Sequence, residues 1–354
     1  MKTPRSSRHG FGAALAALLG LGFGLQVSAE TVTTVPVGVM RVVIAPAPVS
    51  GTKITTFSPS LRLPVSESFV GKYVGKVTSL TSTTLSDATA AWAVGALSQA
   101  ATPYYIKLTS GAAAGAMWQV STTAANTASS VTILNLSGRD PLTAGALVGD
   151  AYEIIPADTL STLFAGLESQ IGGLNIDAAD NVKLHDGASW RTFYYNSSAG
   201  VQQWREGSSS FNRNNIIVRP NSGVIYTRRG QTPIALTVMG LVVIGSEKFV
   251  VQSTGASFIG GVYPVDRQLV SLNLQSMPGF VVNSGDLNAA DKVKFYDGSS
   301  WRLLSYNGSQ WREGASNFNR NTLLVPAGTP VIIERGVGAA GNAVLATVPA
   351  PYTL

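Results

Sequence analysis

Short stretches of alternating apolar and polar residues run along most of this chain, punctuated by Gly, Pro, Asn, Asp and Ser. A period of two predicts short, half-buried β-strands joined by tight turns. The clearest stretch predicts a strand at 293–296, a turn at Asp297-Gly298, a strand at 301–306, a turn at Asn307-Gly308 and a strand at 310–313. In such turns the glycine accepts the positive φ that a two-residue hairpin demands. Three short strands joined this way make an antiparallel meander. Further strands are predicted at 322–325 and 331–335, flanking Pro326-Ala327-Gly328.

This unit is written twice. Residues 178–196 and 289–307 share 12 of 19 positions, and residues 203–215 and 310–322 share 10 of 13. Both copies carry Asp-Gly-x-Ser-Trp-Arg, then Gln-Trp-Arg-Glu-Gly, then Phe-Asn-Arg-Asn. Copy one is longer between the blocks, at 197–201, as a surface loop allows. Its later strands are predicted at 215–219 and 224–228. A weaker echo relates 36–44 to 236–244 and 58–63 to 262–267. These matches place residues 30–68 plus 158–235 in a first β repeat unit, 236–354 in a second, and 69–157 in an inserted small β domain.

The insert is rich in Ala, Thr and Ser, with strands predicted at 73–80, 104–109, 117–122, 131–134 and 151–155. Their spacing suggests a small barrel. One short helix is predicted at 158–167, capped by Asp158, with Leu160, Leu163, Phe164 and Leu167 at helical intervals. The expected fold class is therefore all-β: two tandem antiparallel β-sandwich or meander units, a small β-barrel-like insert in the first, and very little helix.

Ahead of these units, Lys2, Arg5 and Arg8 precede an apolar stretch from Phe11 to Leu25 and the small residues Val27-Ser28-Ala29. This is the pattern of a secretory signal peptide spanning 1–29, cleaved near Ala29-Glu30. The apolar stretch is short of the roughly 20 residues that a span requires. Cleavage changes the charge: 25 Lys+Arg against 19 Asp+Glu becomes 22 against 19, or +3, because the segment holds three of the bases and none of the acids. Nucleic acid as a partner thereby loses its main support. No transmembrane span is expected in the mature chain. With no cysteine there is no disulfide framework, thiol catalysis or thiolate metal site.

Several segments together carry a family resemblance. They are Gly75-Lys76-Val77-Thr78, residues 104–115 (Tyr-Tyr-Ile-Lys-Leu-Thr-Ser-Gly-Ala-Ala-Ala-Gly), residues 149–156 (Gly-Asp-Ala-Tyr-Glu-Ile-Ile-Pro), residues 159–164 (Thr-Leu-Ser-Thr-Leu-Phe) and the two Asp-Gly-x-x-Trp-Arg meanders. In order and wording they resemble a paralogue-rich family of secreted verrucomicrobial proteins. The resemblance covers most of the mature chain. It implies export and brings no catalytic residues with it.

Candidate chemistry is sparse. After cleavage His185 is the only imidazole, and its counterpart in copy two is Tyr296. A general base needs a nucleophile and an orienting carboxylate in reach, and the sequence nominates neither. Asp180 and Asp186 recur as Asp291 and Asp297. They suit turns, with calcium ligation or glycoside hydrolysis as rival roles. Asn196 and Asn307 open Asn-x-Ser sequons inside turns.

The aromatic pairs are the candidate ligand sites: Trp190-Arg191, Trp204-Arg205, Trp301-Arg302 and Trp311-Arg312. Each Trp is either a core anchor or a flat platform for a sugar ring. No catalytic, cofactor-binding or metal-binding residue is assigned. The expectation is an exported, non-enzymatic structural or adhesive protein of the cell surface or extracellular matrix, with itself or an extracellular glycan as partner. A carbohydrate-binding protein using the Trp-Arg pairs is the alternative, and a glycan-degrading enzyme is a third.

Overall fold

The computed structural model describes residues 36–352, except 136, 137, 187, 188, 338 and 340. The segment expected as a signal peptide lies outside the described residues. The fold is all-β: every named strand pair is antiparallel, and the α-helices, Leu160–Leu163 and Glu168–Ile171, are one turn each. Among the described residues no helix is long and apolar enough to cross a membrane.

Two five-stranded sheets carry the repeat. The first runs Gln203–Glu206, Trp190–Asn196, Asn181–His185, Val224–Arg228, Lys53–Phe57. The second runs Trp311–Glu313, Trp301–Tyr306, Lys292–Tyr296, Val331–Glu334, Ala256–Ile259. Gly298 and Gly308 take φ of +97° in the turns between the second sheet's strands, the left-handed conformation that favours glycine. Each sheet has its own core. Phe57, Leu160, Phe164, Phe193, Trp204 and Tyr226 fill the first; Phe249, Leu269, Phe295, Leu304 and Trp311 fill the second.

The register aligns the copies residue by residue. Val224 faces Phe57 as Val331 faces Ile259, so Phe57 corresponds to Ile259. Asp158 faces Val218 as Arg267 faces Val325. The second unit joins Ile259 to Arg267 directly, whereas the first leaves after Leu61–Arg62 and returns at Asp158–Thr159.

One strand sits otherwise than the weak echo suggests. Ile234–Val242 pairs along its length with Val37–Ile44, and Ile234, Leu236 and Val238 enter the first core. The second unit's equivalent pair is Glu247–Val251 with Val344–Val348. The echo therefore relates two paired strands of the first unit, and the 235/236 boundary falls inside a strand. Two strands packed on one core share the same alternation, so similarity alone does not separate a partner from a copy.

The insert is a closed barrel. Its sheet ends on Val74–Lys76 at one side and Ser79–Leu80 at the other, which are halves of one segment. Between them Val77 N–H donates to Asp150 O and Thr78 N–H to Ser86 O, each at 2.8–2.9 Å. Closure leaves no free sheet edge. Trp92, Ile106, Trp118, Val131 and Ile154 pack inside. At residue 158 the structure departs from the helix expectation. Thr159 provides the cap, in a reciprocal box with Thr162, while Asp158 accepts from the Thr162 hydroxyl at 2.9 Å. The helix is one turn long, and Gly166 follows with φ +79°.

The described residues cluster as one compact body. The two repeat units meet through reciprocal contacts: Ser58 N–H donates to Gly328 O at 2.7 Å, and Gly260 N–H to Asn221 O at 3.1 Å. Residues 58 and 260 correspond, as do 221 and 328, so the contact is a pseudo-two-fold one. Ile225, Phe258 and Ile332 bury its apolar part. The barrel docks on the second unit through Lys248 N–H to Gly115 O at 3.0 Å and Arg139 Nη1 to Ala343 O at 2.7 Å. A buried ion cluster ties all three bodies together. Lys107 Nζ lies 2.5 Å from Glu247 Oε1 and 3.4 Å from Glu153 Oε1, and Arg62 pairs with both carboxylates. Mutual pairing offsets the desolvation of four charges, and deleting one leaves the rest uncompensated.

Candidate functional site

The four Trp-Arg pairs are of two kinds. Trp204 and Trp311 are 1% and 0% exposed and anchor the two cores. They cannot serve as ligand platforms. Each packs on a Tyr and a Phe: Trp204 lies 5.8 Å from Tyr195 and 5.3 Å from Phe164, and Trp311 lies 5.5 Å from Tyr306 and 5.9 Å from Phe280. Trp190 and Trp301 are 39% and 40% exposed on the outer faces. Trp190 leans on His185 and on Phe258 of the second unit, each at 5.0 Å between centroids.

The arginines follow from alternation. Arg191 shares the inner side of its strand with Phe193, lying 5.1 Å over that ring, and binds Glu206 through two N–H groups at 2.7 Å each. Arg213 approaches the same carboxylate at 3.3 Å. In the second unit Arg302, Glu313 and Arg320 repeat the triad. Its hydrogen bonds from Arg191 hold the Glu206 carboxyl below its usual range. Arg205 and Arg312 follow the buried tryptophans and are half-buried; Arg312 Nη1 donates to Asn317 Oδ1 at 2.8 Å.

The Phe-Asn-Arg-Asn block seals an edge. Trp204 N–H donates to Asn214 Oδ1 and Trp204 O accepts from Arg213 N–H, both at 2.8 Å. Trp311 makes the same pair of bonds with Asn321 and Arg320, also at 2.8 Å. Each loop thus satisfies the outward backbone groups of its own edge strand, which blocks strand addition there. The phenylalanine has no part in this. Phe211 and Phe318 are 71% and 74% exposed.

The repeated acids are structural. Asp180 is buried and accepts from Arg228 Nη1, Tyr226 Oη and Arg229 N–H. Burial and the Asp180 charge push the Tyr226 phenol up. Asp291 is buried and accepts from Arg335 Nε at 3.1 Å, Gly336 N–H at 2.8 Å and Val281 N–H at 3.0 Å. Asp297 takes N–H bonds from Ser299 and Ser300 at 2.9 Å, and the backbone bond from Ser300 leads in lowering its pKa to about 2. Asp186 accepts from Ser189 N–H in the matching turn at 2.9 Å. Among the described residues no group of three His, Asp or Glu side chains is placed to hold a metal ion. Of the sequon asparagines, Asn196 is buried and donates to Leu174 O at 3.0 Å, which removes it from the surface.

A cleft at the junction of the three bodies was not legible beforehand. His185 alternates with Val182 and Leu184, which enter the first core, so it points outward. It is nonetheless buried, and Gln119 of the barrel and Phe258 of the second unit line the hollow against it. Burial holds its imidazole below the ordinary value, Asp186 opposes the shift and Arg219 adds to it. The adjoining cavity is about 480 Å³ and is lined by Gln119, His185, Asn215, Arg219 and Ser222 together with Ile216 and Ile217. Nearby, burial pushes the Tyr105 phenol up to about 12, with Arg219 acting against the rise. The signal lay in the comparison of the copies: Arg219 falls where copy two has Pro326, and His185 where it has Tyr296.

No protein-family model matches the sequence, and no curated protein is significantly similar to it.

Proposed function

We propose that this is an exported, non-enzymatic adhesive or structural protein of the cell surface or extracellular matrix, holding its partner through two equivalent aromatic loops. The observation that carries the reading is the pair Phe211 and Phe318. Both are more than two-thirds exposed in loops whose other repeated residues seal the sheet edge. Two large apolar side chains kept on the surface of both copies suit a contact surface. A rigid body bearing two such loops gains avidity when both engage. The signal-like N-terminus and the resemblance to secreted proteins support export.

Binding of the purified protein to cells and matrix of a producing culture tests this. Phe211→Ser and Phe318→Ser singly should each weaken retention, and the double variant should abolish it with an unchanged melting temperature. Retention of the double variant at the parental level sinks the reading.

A second reading, glycan binding, is favoured by the matched exposure of Trp190 and Trp301 on the outer faces. Loss of glycan-array signal in Trp301→Ala, with Phe318→Ser unaffected, would support it over the first.

A further inference from the structure

We infer that the cleft between the first unit and the barrel is a binding site for a short anionic saccharide. This is separate from the aromatic loops and does not depend on them.

The site is built from side chains that the repeat does not require. The register places Arg219 opposite the position of Pro326 in copy two, and His185 opposite Tyr296. The barrel covers the first unit at this place, and Gln119 comes from it. The departures between the copies thus converge on one cavity. Three of its polar lining residues are buried: Gln119 at 8% exposure, whose Oε1 accepts from Tyr105 Oη at 3.3 Å, and His185 and Ser222 at 9% each. Buried polar groups around an open hollow are arranged for a ligand more readily than for packing.

The chemistry selects an anion. Arg191 also lines the hollow, but its charge is committed to Glu206. Arg219 donates to the main-chain carbonyl of Asp186 and, among the described residues, makes no salt bridge. A planar guanidinium held from behind by a backbone carbonyl presents its remaining N–H groups to a carboxylate or sulfate. Asp186 also lines the hollow, and its carboxylate accepts from Ser189 N–H at 2.9 Å in its own turn.

The chemistry also selects a sugar. Gln119, Asn215 and Ser222 offer neutral donors and acceptors suited to hydroxyls, and the half-buried Ile216 and Ile217 add apolar surface. A hollow of about 480 Å³ falls within the usual range of small-molecule sites.

Titration calorimetry of the purified protein with glucuronate, glucose 6-sulfate, glucose and inorganic sulfate tests the inference. Glucuronate or glucose 6-sulfate should bind, and which of the two binds tighter names the acid group. Arg219→Gln should weaken that binding about tenfold or more, and Arg219→Lys should lose less. Lys183→Gln, on the exposed outer face, should leave it unchanged. Thermal melting of each variant separates loss of binding from loss of fold. Binding of glucose as tight as glucuronate, binding of inorganic sulfate alone, or an Arg219→Gln variant that folds and binds normally would overturn it. So would the absence of binding by either anionic sugar at concentrations on the order of 10 mM.

Discussion

Replacing Asp291 by Asn should cost about 3–5 kcal/mol of stability in the second repeat unit. The carboxylate is fully buried and takes hydrogen bonds from Arg335 Nε, Gly336 N–H and Val281 N–H. The Arg335 side chain is only 2% exposed. Asn keeps the shape, removes the charge and turns an N–H group toward one of the donors. Arg335 is then a buried cation that, among the described residues, donates only to a neutral carbonyl, that of Gly279. The penalty comes mainly from that stranded charge, since an ion pair at this depth roughly balances its own desolvation. The double variant Asp291→Asn with Arg335→Met should therefore recover much of the loss. Urea titration is the assay, read by hydrogen exchange in segment 292–306, because three cores in one chain make a single global transition unsafe to assume. A cost below about 1 kcal/mol, or a double variant no more stable than the single, refutes the reasoning.

The other predictions are shorter. Trp311→Ala should cost about 3–5 kcal/mol, because it empties the centre of the second core, whereas Trp301→Ala on the outer face should cost under about 1 kcal/mol; chemical denaturation of the two variants in parallel checks this. Gly115→Ala should loosen the barrel, since Gly115 has φ +91° and a Cβ there would stand 2.5 Å from Ser246 O. Limited proteolysis should then cut within 69–157 faster than in the parent. Glu206 titrates below its ordinary value in the folded protein, so its contribution is full above the unfolded value and is lost as pH falls through the folded one. Melting temperature against pH in the acid range should show a shallower decline in Arg191→Met, by a small amount because the pair is part-exposed.

The sequence by itself determined the all-β class, the duplication and much of the local structure. Trp301–Tyr306 and Val224–Arg228 form strands where alternation predicts them, and the turns at Asp297-Gly298 and Asn307-Gly308 carry their glycines at positive φ. These follow from forces acting over a few residues: side-chain alternation, glycine's freedom and Asp or Asn bonds to the next backbone groups. Tertiary structure decided what depends on distant partners. Trp190 and Trp204 stand in the same dipeptide, yet one is exposed and the other is a core anchor, because each sheet packs only one face on its core. Asp180 resembles a turn residue until the fold brings Arg228 to it on the adjacent antiparallel strand. Strand Ile234–Val242 found its partner in Val37–Ile44, at the other end of the first unit. His185 lies on an outer face and is buried because a barrel inserted before it in the chain folds back beside it, and that covering also makes the cleft. A local pattern states which residues share a face. Only the packing of whole bodies states which face meets water, which meets a core and which encloses a cavity.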